Sequence, residues 1–341
     1  MPNHNHNTCA YIRSRQHYAM HTIHGVFNIN KPQGMTSHDV VAHVRRLVRG
    51  HRPATSMNGW NAGPARQMVR VGHAGTLDPI ATGVLPVLVG KATRLVEYLS
   101  EADKAYRATL VLGATSDTYD REGIITPTTP APPMPSLEQV KDVATKFIGQ
   151  IEQLPPMYSA VKVGGRKLYE LARAGAYVER TPRRVRISRL DIQAYRPPFV
   201  QIYVECSKGT YIRTLAHDIG QVLGTGAYLS ELVRTRHGPF TLEQAVTLQD
   251  LEAAFHEGTW PEMLYPPEYI LKGWPTYVLT PEQAREVSHG RPLALPPPEP
   301  DEEGGPALLA ATTPRGQLSA ILYWDDHRKV WQPRKVFDPS A

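Results

Sequence analysis

Apolar and polar positions change rhythm repeatedly along this chain, and each change marks an element. Residues 25–30, Gly-Val-Phe-Asn-Ile-Asn, alternate with period two and predict a strand, and a turn through Lys31, Pro32, Gln33, Gly34 and Met35 separates it from a helical stretch. There Val40, Val41, Val44, Leu47 and Val48 recur on one face, and Thr36 and Asp39 have capping-box spacing. Arg45, Arg46 and Arg49 lie toward the end, where cations suit the helix dipole; they are solvated or face an anion. Thr93 is placed to cap a short helix through Leu95, Val96 and Leu99. Residues 104–112 alternate again, with Tyr106, Ala108, Leu110 and Leu112 on one face, so Tyr106 reads first as core.

A polar turn region at 114–123 and a proline-rich loop to Pro135 follow. Ser136 and Gln139 then open an amphipathic helix with Leu137, Val140, Val143, Ala144, Phe147 and Ile148 as its buried stripe. Leu154 to Lys162 reads as a stiff approach to a short strand, Gly164-Gly165 as a hairpin turn, and 166–173 as a small basic helix. Residues 200–206 form a clear strand. The next helix carries Tyr211 and Arg213 in its first turn, with Leu215, Ala216, Ile219, Val222 and Leu223 inward and Gly224 at its end. Beyond about residue 270 the pattern restarts with 277–280, a helix over 281–289 and short strand-like runs such as 318–324, which predicts a second, smaller β-rich domain.

Composition adjusts this picture in a few places. The chain has 341 residues, enough for two domains. Residues 50–67 are rich in Gly, Pro, Ala, Asn and Ser and read as a mobile insertion; residues 1–24, rich in Asn and His, read as a disordered extension. Two cysteines, Cys9 and Cys206, exclude a disulfide framework and a four-cysteine zinc site, and no metal is expected. The apolar run 84–89 is far shorter than a membrane span, so no membrane partner is expected and a reducing, cytoplasmic setting fits. The net charge of +6 favours a polyanionic partner. Arg180, Arg183, Arg184, Arg186 and Arg189 cluster in and beside a strand, either tracking phosphates or guarding a sheet edge as solvated charges.

The stretch 70–86, Arg-Val-Gly-His-Ala-Gly-Thr-Leu-Asp-Pro-Ile-Ala-Thr-Gly-Val-Leu-Pro, stands apart because three glycines and two prolines surround its single carboxylate, Asp78. Two readings remain open: Asp78 as N-cap of a very short helix beginning at Pro79, or a shaped loop that holds a functional carboxylate.

Four blocks resemble the TruB family of bacterial tRNA pseudouridine synthases: Asn30-Lys31-Pro32 through Thr36-Ser37, the Gly72-His73 to Pro86 stretch, Pro155 to Lys162, and Ser207-Lys208-Gly209-Thr210-Tyr211-Ile212-Arg213. Residues 274–336 are similar to a PUA-type RNA-binding module, most tellingly at Leu279 to Ala284 and His289 to Leu293. The resemblance implies an α+β protein: a pseudouridine-synthase-like catalytic domain on a mixed β-sheet, residues 25–270, then a PUA-like domain, residues 271–338. It implies isomerisation of uridine 55 in the T-loop of tRNA, with the T-arm as partner, by a monomer without a cofactor.

The same resemblance makes Asp78 the nucleophile, with Arg213 paired to it and Tyr211 against the target base, serving in the late removal of the C5 proton. Tyr106 would stack on the flipped base, His73 would fill the space it leaves, and Leu232 would wall the pocket. Lys31 and Lys162 would be packing supports or phosphate contacts. Three departures stand out: the 50–67 insertion, the His-rich extension, and Leu232-Val233-Arg234 where Leu-Arg-Arg is more usual. The rival readings are a synthase guided to another RNA by partners, and an RNA-folding chaperone.

Overall fold

The computed structural model describes residues 23–50, 69–159, 161–173, 175, 178–299 and 307–337. The expected disordered extension and mobile insertion fall almost wholly outside this set. The described chain runs β1 (Gly25–Lys31), α1 (Ser37–Gly50), β2 (Val71–His73), β3 (Thr82–Val89), α2 (Val96–Glu101) and β4 (Lys104–Leu112). A small hairpin, β5 (Ala114–Ser116) and β6 (Ile125–Pro127), leads to α3 (Leu137–Thr145) and β7 (Gly149–Gln153), and a second, β8 (Lys162–Val163) and β9 (Arg166–Lys167), to α4 (Leu168–Arg173). The long hairpin β10 (Arg183–Arg196) and β11 (Phe199–Cys206) precedes α5 (Ile212–Val222), β12 (Ala227–His237), β13 (Phe240–Thr241), α6 (Leu248–Glu257) and β14 (Leu264–Tyr265). Last come β15 (Thr276–Val278), α7 (Pro281–Ser288), β16 (Leu308–Thr312), β17 (Leu318–Asp325) and β18 (Val330–Val336).

Ten strands form one mixed sheet with the central order β14-β1-β3-β12-β4-β11-β10-β7, while β2 and β13 pair with β3 and β12. All its pairings are antiparallel except β3 on β12, where Arg234 lies opposite Gly83. One face carries α1, α3, α5 and α6, whose Val40, Val44, Val140, Leu215 and Leu251 share a core with Phe27, Leu85 and Tyr106. The other face meets the C-terminal sheet, in the order β15-β16-β17-β18: Leu88, Leu95 and Leu99 are buried with Ala310, Leu318, Ile321 and Phe337. With both faces covered, β3 is apolar from Val84 to Val89 rather than alternating.

That strand corrects the loop reading of the motif's second half. Pro86 belongs to a central strand, a position proline usually avoids because it has no N–H to give the ladder. It is tolerated because it sits between the last β12 pair, Arg234–Gly83, and the first β2 pair, His73–Val87; on that side only its carbonyl is used, by Ala74 N at 3.2 Å.

Other elements match the sequence pattern with local exceptions. The capping boxes at Thr36–Asp39 and Ser136–Gln139 form. Thr93 caps nothing: it lies inside a 3-10 turn, its hydroxyl donating to Gly90 O at 2.7 Å. The Ser136 helix ends at Thr145, short of Phe147 and Ile148, and Ile148 is 45 % exposed. Val222, at the last position of α5, is 51 % exposed rather than inward. The edge reading of the arginine cluster fails for Arg183, Arg184 and Arg186, where β7 covers the side of β10 away from β11, and holds for Arg189, where β10 pairs with β11 alone. Its arginines are partly neutralised by Glu152, Asp103, Asp191 and Glu205.

Candidate active site

The Asp78 loop is built by its neighbours more than by its own hydrogen bonds. Ser37, the first residue of α1, binds Leu77 twice: its hydroxyl donates to Leu77 O at 2.9 Å and accepts from Leu77 N at 2.8 Å. On the other side of Asp78, Gly34 N donates to Pro79 O at 2.9 Å. The buried Lys31 ammonium donates to Pro32 O, Met35 O and, at 3.5 Å, Pro79 O. The Lys31–Ser37 turn is therefore the socket in which the carboxylate's loop sits. Asp78 starts no helix; Ala81 N donates to its carbonyl at 3.1 Å and closes a single turn before β3.

Two glycines are required here by space. Gly75 (φ 67°) and Gly83 (φ 98°) both hold the left-handed backbone that L-residues avoid. A Cβ would lie 2.8 Å from the His237 ring at Gly75 and 2.3 Å from Arg234 O at Gly83.

Asp78 meets Arg213 across the motifs: Nη2 to Oδ2 is 3.0 Å. Arg213 is itself buried, and both of its Nη atoms make further bonds. Nη2 also reaches Tyr158 O at 3.0 Å, while Nη1 reaches Asp120 Oδ2 at 3.2 Å and Thr118 O at 3.4 Å. Asp120 is in turn fixed by the Thr118 hydroxyl at 2.7 Å and by Glu122 N at 3.0 Å. The Asp78 side chain is partly open: 37 % of it reaches solvent, yet protein surrounds it closely enough that burial pushes its carboxyl up. Arg213 and Lys31 oppose that rise and the Asp120 charge adds to it. The result is a carboxyl group whose rise one aimed guanidinium opposes, partly desolvated and open on one side.

Around it, the other residues singled out by sequence fall into three groups. Tyr106 and Leu232 are both buried, on adjacent β4 and β12, and are diagonal neighbours on the face that carries Leu77 and α5. Burial pushes the Tyr106 phenol up to about 12, and the phenol feels both the Arg234 and the Asp78 charge. Tyr211 caps the N-terminus of α5, two residues before Arg213, held by buried Gln153: Tyr211 N donates to its Oε1 at 3.0 Å, and its Nε2 to Tyr211 O at 3.3 Å. His73 ends β2, half-buried; burial and the Arg234 charge lower its pKa, so it is neutral near pH 7. Lys31 is completely buried, its ammonium among backbone carbonyls that brace the turn. The Lys162 side chain lies outside the described residues.

Asp120, Ser37 and Gln153 were not singled out by the sequence. Asp120 sits in what reads as an ordinary polar turn, and Ser37 as a plain helix start. Gln153 ends a short strand, and no local pattern marks any of the three. Long-range pairing alone gives them work.

The chain is similar to known proteins over most of its length. The model of the TruB family pseudouridylate synthase N-terminal domain matches residues 65–212, and that of the tRNA pseudouridylate synthase B C-terminal domain matches residues 213–272. A tRNA pseudouridine synthase B of Symbiobacterium thermophilum is 48 % identical, over 81 % of this chain and 85 % of its own. One of Heliobacterium mobile is 42 % identical over 93 % and 96 %. Among solved structures, a chain of a Cbf5-Nop10-Gar1 complex superposes with a TM-score of 0.70 at 29 % identity, covering 92 % of this chain and 85 % of that one. A chain of an H/ACA RNP bound to a substrate RNA containing 2'-deoxyuridine does so with 0.67 at 27 %, again covering 92 % and 85 %.

Proposed function

The chain belongs to the TruB family of pseudouridine synthases, and on that premise we propose that it isomerises uridine 55 in the T-loop of tRNA to pseudouridine, with Asp78 as nucleophile. The observation that carries this reading is the 3.0 Å pair between Arg213 and a desolvated yet accessible Asp78. The reaction breaks the bond from ribose C1′ to base N1, turns the base and joins C1′ to C5; the C5 proton leaves and N1 gains one. An electron-pair donor held beside the electron-poor centre is what such a reaction needs, and a carboxylate supplies it without a cofactor. Arg213 keeps that carboxylate in its reactive, ionised form.

A uridine inside a folded T-loop reaches Asp78 only if it is extruded, at a cost of a few kcal/mol. Stacking on Tyr106 offsets part of this, Leu232 walls the pocket, and His73 occupies the space left behind. Tyr211, at the rim beside Arg213, serves in removal of the C5 proton. Lys162 contacts a backbone phosphate. The unit from Thr276 to Val336 is a PUA-like module that holds the tRNA farther out. No helix among the described residues is long and apolar enough to cross a membrane, and the proposed setting is a cytoplasmic monomer. The test is tritium release from a T-arm transcript carrying uridine labelled at C5: release by the wild-type protein is expected, and none from an RNA that is demonstrably bound would refute the reading.

A further inference from the structure

Among the described residues, Arg234 is the largest fully buried side chain, 1 % exposed at the centre of the sheet on β12. Its contacts converge on three parts of the site. Nε donates to Val84 O at 2.7 Å, Nη2 donates to Gly75 O at 2.9 Å, and Tyr106, the residue opposite Arg234 on β4, has a phenol that feels the guanidinium charge. Gly75 and Val84 bracket Asp78, one at each end of its loop, and the Arg234 backbone packs so closely on Gly83 that no side chain fits there.

From this convergence we infer that Arg234 is a positioning residue: one rigid guanidinium that fixes both ends of the Asp78 loop and the Tyr106 ring, and so sets the spacing between nucleophile and base platform. The inference rests on the proposed pseudouridine synthase activity. A residue needed only to fill this space would be apolar, since a buried cation is costly. The cost is greater here because Lys104 and His237 also lie near Gly75, each turned to its own carbonyls: Ser100 O and Ala102 O for Lys104, Leu99 O for His237. Arginine's planar fork reaches two divergent carbonyls at once while its charge faces the Tyr106 phenol; a lysine ammonium is a point donor on a flexible stem.

The experiment compares wild type and Arg234→Lys by single-turnover pseudouridine formation on a T-arm transcript, RNA affinity, and hydrogen–deuterium exchange over residues 74–84; Arg234→Gln serves where the lysine variant does not fold. The expected result is a rate at least 100-fold lower for the folded fraction, RNA affinity within threefold, and exchange over 74–84 at least tenfold faster while α1 and β11 keep their protection. A merely structural role would lower the melting temperature and the active fraction but leave the rate of the folded fraction intact. That outcome, a loss confined to RNA affinity, or unchanged loop exchange would overturn the inference. A wild-type protein that forms no pseudouridine would refute the activity instead, while the exchange comparison still judges the clamp.

Discussion

Asp78 and Asp120 share one guanidinium: Arg213 offers Nη2 to the first at 3.0 Å and Nη1 to the second at 3.2 Å. Asp120, buried and tied to Thr118 and Glu122, holds the arginine in place, so Asp78 meets a cation that is already oriented. Replacing Asp120 by Asn removes the charge and keeps the shape. The single-turnover rate should fall about 10–100-fold, roughly 1.4–2.7 kcal/mol, with RNA affinity unchanged. A wild-type rate would show that the Tyr158 and Thr118 carbonyls suffice to orient Arg213.

The pH dependence follows from burial of Asp78. Its folded-state pKa is raised, so the native protein binds this proton more tightly than the unfolded chain does. The stability this group contributes is present in acid and is lost as pH rises through the folded pKa. Near pH 7, above the ordinary aspartate range, this group therefore weighs against the fold, and Asp78→Asn should raise the melting temperature while abolishing activity. The gain should shrink toward acid, below the ordinary aspartate range. For the same reason the acid limb of the wild-type rate profile should lie above that range, because the carboxylate must be ionised to act. A melting temperature lowered by Asp78→Asn at neutral pH would contradict the assignment of desolvation as the dominant cause.

Ser37 makes a separable prediction. Ser37→Ala deletes both bonds that hold Leu77, leaving a buried N–H and C=O beside the nucleophile. A stability loss of about 1–3 kcal/mol is expected by chemical denaturation. The rate of the folded fraction should fall while RNA affinity stays near wild type. An affinity loss as large as the rate loss would place this turn in RNA contact instead of loop support.

The outer face of α1 and the strand beside it line two shallow depressions with Arg45, Arg46, Arg49 and Arg70. Exposed Arg46 and Arg70 are suited to phosphates there. Changing either to Gln should weaken T-arm binding and lower the slope of log affinity against log salt by about 0.7–0.9. An unchanged slope would move the RNA to another face.

Much of the scaffold was legible in the sequence because it is written in short-range rules. The capping boxes at Thr36 and Ser136, the period-two face of Tyr106 to Leu112, and the Gly164-Gly165 turn (φ 58° and 83°) each follow from neighbours within a few residues. Asp78 was legible as a positioned carboxylate, since glycines and prolines are spent around it. What stayed hidden depends on contacts between distant segments. The apolar run ending in Val89 is a central strand only because two faces cover it, and Pro86 fits only because β12 and β2 leave a gap. Asp120 lies 93 residues from Arg213, and Arg234 lies 150 from Val84, so neither partnership leaves a local pattern.

The central claim is that Asp78, held by Arg213, converts one T-loop uridine, and position-resolved mass spectrometry of a full tRNA transcript tests it most directly. After incubation with the wild-type protein, pseudouridine should be found at uridine 55, and after incubation with Asp78→Asn, which still binds the transcript, at no position. Pseudouridine formed by the Asn variant, or a bound transcript left unmodified at uridine 55 by the wild type, would contradict the account.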